Sequence, residues 1–163
     1  LTVLSTALGG GPSSRLFQQV REERGLAYSV YSATASYADA GSFAVYAGCG
    51  PERLGEVAAV VRGVLGHVAE HGLTGAELAR ARGSLRGSLL LGSEDTPSRM
   101  NRVGRSEVDH GRQRTIGESL ERISAVTGEQ VAALARELLE QPQVTAVVGP
   151  FDDEDALPAS VRG

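Results

Sequence analysis

The sequence predicts an α+β domain in which an antiparallel or mixed β-sheet is covered by helices. Two β-type segments meet at a short turn between residues 26 and 48, a succession of segments with helical periodicity follows, and an apolar run over 143–148 reads as a closing strand. Strands, then helices, then a strand is the order of a layered α+β unit, since each sheet face and each helix stripe must find an apolar partner. At 163 residues the chain is long enough for one domain with a real core and short for two.

The first residues, LTVLSTA, are apolar with no start signal ahead of them, so they read as the interior of a helix. Gly9, Gly10 and Gly11 reach backbone angles closed to other residues, and Pro12 fixes φ for the turn that follows. Ser13 or Ser14 is placed to cap a helix by accepting from its first amides. Leu16, Phe17 and Val20 give that helix an apolar side, and Gly25 follows the charged run Arg21 to Arg24 as a helix-ending C′ residue does. Arg21 and Tyr28 therefore flank one corner, within reach of a single extended peptide.

Residues 26–37 and 42–48 are predicted strands, joined through Ala38, Asp39, Ala40 and Gly41, residue types that suit a hairpin turn. Tyr31, Ala33, Ala35 and Tyr37 share a face of the first strand, and Phe43, Val45 and Ala47 share one on the second. Such a hairpin needs a covering layer. Leu54, Val57, Ala58, Val61, Leu65 and Val68 offer one as the stripe of an amphipathic helix over 52–71. Thr74 with Glu77 forms a capping-box pattern opening a second long helix through Leu78, Ala81, Leu85 and Leu89. Pro97 suits the first turn of a helix running to about Asp109. A shorter helix covers 116–124, and Thr127 with Gln130 repeats the capping box ahead of Val131, Leu134, Leu138 and Leu139. The domain is read over 1–150. Residues 151–163 hold Asp152, Asp153, Glu154 and Asp155, which have little to bury and read as an acidic tail.

Arginine supplies all 16 positive charges and the net charge is −4. A mildly acidic chain lacks the basic surface that sequence-independent nucleic-acid binding requires. The arginines at 80, 82 and 86 and at 99, 102 and 105 lie at helical spacing and read as solvated helix faces. No stretch has the length and apolarity of a membrane span, and the single Cys49 excludes an internal disulfide, which together suit a cytoplasmic setting.

The run LGGGPSSRLFQQVREERGLAYSV, residues 8–30, resembles the pitrilysin and insulinase family of zinc peptidases, in the branch similar to the mitochondrial processing peptidase. Further matching phrases lie at 36–50, 72–95 and 144–150. Such proteins are built from two related halves, and these phrases are similar to the second, zinc-free half. The resemblance implies that Arg21 and Tyr28 contact substrate, Tyr28 donating to the tetrahedral oxyanion or the adjacent backbone and Arg21 holding a carbonyl or carboxylate. It also implies that zinc belongs to the other half, that none binds this chain, and that the first strand and part of a helix of this half precede Leu1. The expected partners are the zinc-bearing half, on the same polypeptide or a separate subunit, and an unfolded or signal-like peptide; a dimer is expected, with no nucleic acid and no membrane. A chain of this kind is inactive alone. The alternative is a non-catalytic assembly subunit of a peptidase-like complex.

His67, Glu70 and His71 spell H-x-x-E-H, the inverted zinc motif of the same family. At about 100° per residue, His67 points away from the stripe of Leu54, Val61, Leu65 and Val68, and Glu70 almost opposite to it. A catalytic zinc needs an enclosed pocket and a third protein ligand, so the motif reads as a decoy. Gly9, Gly10 and Gly11 are either a loop beside the peptide-binding chamber or a plain turn; a phosphate cradle would need the Lys-Ser/Thr ending that is missing. Glu107, Asp109 and His110 read as a solvated helix end.

Overall fold

The computed structural model describes residues 1–37 and 39–162, without the His110 side chain; the expected turn residue Ala38 and the His110 part of the polar cluster lie outside the described residues. The chain opens with α1 (Thr2–Gly9), whose Val3, Leu4, Ala7 and Leu8 are all buried. β1 (Ser29–Ser36) and β2 (Gly41–Gly48) form an antiparallel hairpin, the only sheet among the described residues. Six helices follow: α2 (Leu54–His71), α3 (Gly75–Glu94), α4 (Thr96–His110), α5 (Ile116–Ala125), α6 (Gly128–Glu140) and the short α7 (Ala159–Arg162).

The expected covering layer is corrected in its identity. α1, not α2, packs on β1. Their approach is close enough for Ser5 Oγ to lie 2.9 Å from Ser32 Oγ, and for Ser32 Oγ to donate to the Ser5 carbonyl at 2.7 Å. With the apolar side of α1 already against the hairpin, α2 packs instead on α6 through Val57, Val64 and Val68. A half-open cleft of about 570 Å³ lies between α2 and β2, lined by Phe43, Val45, Val57, Val61 and Leu65 together with polar groups such as Arg62 and Gln143. Residues 143–148, expected as a closing strand, run along this cleft without pairing, so neither edge of the hairpin is extended.

Gly9 shows why glycine is needed at the α1 end. A Cβ there would overlap the Ser32 amide nitrogen and stand 2.8 Å from the Tyr31 carbonyl carbon, and both are backbone atoms that cannot swing away. Gly9→Ala is expected to cost about 1–3 kcal/mol, the usual range for overpacking. Gly11→Ala, where nothing lies within 4 Å, should be close to neutral; denaturant midpoints of the two variants check the contrast.

The capping boxes at Thr74/Glu77 and Thr127/Gln130 form as the spacing predicts, and a third joins Thr115 to Glu118. The cap expected from Ser13 or Ser14 does not form. Ser14 is buried, and its hydroxyl donates to the Gly11 carbonyl at 2.6 Å, closing the glycine turn rather than serving the helix. The arginines at 82, 86 and 102 are not simply solvated. Arg82 donates to the Val126 carbonyl, Arg86 to Ser124 Oγ at 2.9 Å and Arg102 to the Arg114 carbonyl at 3.1 Å, so three cations clamp the ends of α5; the first two sit at its C-terminus, where helix carbonyls favour positive charge. Beyond residue 150 the acidic residues stay exposed, while Val161 of α7 is buried and Ser160 Oγ donates to the Gly55 carbonyl of α2 at 2.9 Å.

Candidate functional site

The expected helix after the glycine loop is helical from Arg15, but its main body, Phe17–Glu22, is a π-helix. The Glu23 amide bonds the Gln18 carbonyl at 2.8 Å, five residues back, which is the wide π spacing. Gly25, at φ +58°, then ends the segment in the left-handed region, with its amide on the Arg21 carbonyl at 3.1 Å. The Leu26 amide reaches the Val20 carbonyl at 2.8 Å, and Leu26 and Ala27 are buried. The corner is therefore fixed by backbone bonds on one side and core burial on the other.

This corner brings Arg21 and Tyr28 together. The Arg21 guanidinium carbon lies 4.8 Å from the Phe17 ring centre and 5.3 Å from that of Tyr28, within cation–π range of both. Its charge partner among the described residues is Glu22 at 3.8 Å, a loose and exposed pair. Tyr28 is 85% exposed, while its amide bonds the Gly48 carbonyl at 3.1 Å and so anchors its backbone to the end of β2. Two rings thus hold a guanidinium in place while leaving its N–H groups toward solvent beside a free phenol. Such a pair can donate several hydrogen bonds to the carbonyls of an extended chain.

Gly10 is exposed and Gly11 half-buried in the loop before this segment, whereas Gly9 is buried against β1. Behind the loop stands a network that sequence reasoning missed. Arg15 makes a two-pronged ion pair with Glu77, through Nε to Oε1 and through Nη2 to Oε2 at 2.8 Å, and the two side chains are 13% and 14% exposed. Arg15 also donates to the Gly72 carbonyl at 3.3 Å. Glu77 completes the capping box of α3, and the Arg15 guanidinium, the strongest influence on it, draws its carboxyl down from 4.5 to about 2. No local spacing rule connects residues 62 positions apart, so only the folded chain shows the pair.

The His67 and His71 ring centres lie 4.6 Å apart with their planes tilted by 31°, and Arg15 Nη1 sits 3.1 Å from His67 Nδ1. His71 Nδ1 lies 3.7 Å from Glu70 on an exposed helix end. A guanidinium against one ring and open solvent around the other are not the enclosed setting that a catalytic zinc requires. Replacing both histidines by alanine is accordingly expected to leave the zinc content of the complete protein unchanged by elemental analysis.

The peptidase M16 inactive domain family model matches residues 1–85. An uncharacterized zinc protease of Mycobacterium tuberculosis is 54% identical over 162 residues, 99% of this chain and 37% of the relative. One of Bacillus subtilis is 40% identical over 92% of this chain and 37% of its own length. The chain thus spans little more than a third of these relatives. Among solved structures, a peptidase M16 inactive domain from Pseudomonas fluorescens superimposes with a TM-score of 0.73 at 26% identity, covering 83% of this chain and 32% of that one. A putative M16-like peptidase from Alicyclobacillus acidocaldarius shares the fold, with a TM-score of 0.69 at 20% identity over 83% of this chain and 31% of that one. With the family model matched over residues 1–85 and these relatives aligned over nearly the whole chain, the chain belongs to the peptidase M16 family, in its inactive domain.

Proposed function

We propose that this chain is the zinc-free, substrate-contacting half of a zinc metalloendopeptidase of the processing-peptidase type, inactive by itself and acting on unfolded or signal-like peptides. The observation that carries the reading is the convergence of Arg21 and Tyr28 at one exposed corner, with the guanidinium braced between two rings. Arg21 donates to carbonyls or a carboxylate of the bound peptide. Tyr28 donates its hydroxyl proton's hydrogen bond to the carbonyl oxygen on which negative charge develops. Their contribution is orientation and charge stabilisation by fixed donors. The exposed Gly10 and half-buried Gly11, with Gly9 anchoring them to β1, border the same peptide path.

Zinc supplies the hydrolytic chemistry from the other half, and the relatives, of which this chain spans 37%, have length in hand for such a half on the same polypeptide. The reading includes a dimeric arrangement of halves in the cytoplasm. No helix among the described residues is long and apolar enough to cross a membrane. The test is turnover of an unfolded, internally quenched peptide by the complete protein carrying Arg21→Ala or Tyr28→Phe. Loss of turnover with zinc content and folding intact supports the proposal; unchanged turnover removes it and leaves the assembly-subunit role.

A further inference from the structure

His67 and His71 do not fit a zinc site, yet His67 is not idle. Its Nδ1 lies 3.1 Å from Arg15 Nη1, and because a guanidinium can only donate, that nitrogen is the acceptor and the neutral ring carries its proton on Nε2. The other Arg15 donors serve the same junction. Nε and Nη2 grip Glu77 at the start of α3, and Nη2 also reaches the Gly72 carbonyl at the end of α2, 3.3 Å away. One guanidinium therefore ties together the glycine turn, the end of α2 and the beginning of α3. On its own stretch of chain, the Ser14 amide bonds the Gly11 carbonyl and the Gln18 amide bonds the Ser14 carbonyl, both at 3.0 Å. Arg15 thus lies inside the turn that launches the π-helical segment carrying Arg21.

Of the three acceptors that Arg15 uses, only the imidazole can be switched off near neutrality. The Gly72 carbonyl does not titrate, and the Glu77 carboxyl, drawn down to about 2 chiefly by Arg15 itself, stays ionised there. Imidazole is the side chain that changes charge between about pH 5 and 8. His67 is exposed, so solvent protons reach it. A proton on Nδ1 removes the acceptor and sets a positive ring 3.1 Å from a guanidinium. The other ionisable groups that its contacts bring near do not offset this. Both Glu77 oxygens already accept from Arg15, and Oε2 accepts from Thr74 as well. On its own helix, Glu70 lies 3.7 Å from His71, and His71, 4.6 Å away ring to ring, can add only positive charge. The sign follows: the bond is complete while the ring is neutral and is lost as pH falls through the imidazole range.

We infer that His67 is a positioning residue for the Arg21 segment, a neutral imidazole that completes the hold of Arg15 on the glycine turn and lets go in mild acid; its bearing on peptide handling rests on the reading of Arg21 and Tyr28. The test is amide hydrogen exchange of the full chain, read by NMR at Gln18, Glu23 and Gly25, whose amides close the segment, with Val131 and Ala135 of α6 as the reference. Between about pH 7 and about 5.5, protection of the segment relative to α6 should fall about 2- to 10-fold, the usual net worth of one hydrogen bond. His67→Leu should show the lower protection at both pH values. His67→Asn, whose side-chain oxygen stands where Nδ1 stood, should keep the higher protection at both, and His71→Leu should behave as the native chain does. Equal protection in the native chain and His67→Leu, or a pH response that persists in His67→Asn, overturns the inference. Peptide turnover by the complete protein adds a second arm: His67→Leu should lower it about 2- to 10-fold and His67→Asn should restore it. Unchanged turnover with His67→Leu in a protein that Arg21→Ala disables overturns the positioning role. If exchange behaves as expected but Arg21→Ala leaves turnover intact, the reading of Arg21 and Tyr28 is what fails, and the hold of His67 on Arg15 stands.

Discussion

Tyr28→Phe in the complete protein is expected to lower kcat for an unfolded peptide by about 10²-fold, at the lower end of the range for losing one donor aimed at a developing oxyanion. The substitution removes an oxygen and nothing else. The ring that braces Arg21 at 5.3 Å remains, and the Tyr28 amide keeps its bond to Gly48. The low end is the right one because Tyr28 is 85% exposed, so its bond is strengthened only once substrate covers it. Arg21→Ala should cost more, about 10²–10³-fold, because the charge is lost together with the packing between Phe17 and Tyr28. Arg21→Lys should restore little, since an ammonium lacks the planar fork that stacks between rings while donating sideways. Steady-state kinetics separates the two roles. A drop in kcat marks an interaction made in the transition state, whereas a rise in KM alone would mark ground-state binding and contradict the assigned role of Tyr28.

The second large effect lies behind the site. Arg15→Ala leaves the part-buried Glu77 carboxylate without its cation, and losing hydrogen bonds to a charged group costs about 1.5–3 kcal/mol. It should also lower peptide turnover, because Arg15 starts the segment that ends at Arg21 and ties it to the N-terminus of α3. The same pair predicts an acid dependence with a definite sign. The Glu77 carboxyl titrates at about 2 in the folded chain against 4.5 ordinarily, so the folded state favours its ionised form. The resulting stabilisation is complete above about pH 4.5 and is lost as pH falls from there through about 2. Glu77→Gln removes this contribution. The stability difference between the native chain and Glu77→Gln, from urea titrations at pH 7, 4.5 and 3, should therefore shrink as the acid range is entered; a difference that stays constant with pH would contradict the assignment.

Much of the fold was legible because it is written in short-range patterns. The hairpin followed from alternation around a turn, and the starts of α3 and α6 from a Thr placed three residues before a Glu or Gln. The third capping box, Thr115 with Glu118, was spelled the same way and went unread. What was not legible depends on distant pairing. α1 carries too little sequence to show which element it covers, and its contact with β1 rests on the missing Cβ of Gly9 and two serines 27 residues apart. The closing strand at 143–148 had the right residue types, but β-type residues form a strand only where a free edge is within reach. For the site, the corner was readable because Gly25 fixes it locally, whereas the π spacing was not, since helix propensity does not distinguish four-residue from five-residue closure.

The wide turn at Phe17–Glu22 carries a consequence for length variation. It holds one residue more than an ordinary helical winding, so a chain shortened by a single position at Gln18 or Gln19 can tighten into regular α-helix with every amide still satisfied. Such a deletion would fold readily and leave Phe17 three rather than four positions ahead of Arg21, its side turned by only about 30° around the axis. The 4.8 Å contact between ring and guanidinium would be loosened rather than lost. The surplus residue thus trims the fit of the corner, and a shortened relative could keep the architecture with a weaker grip on peptide.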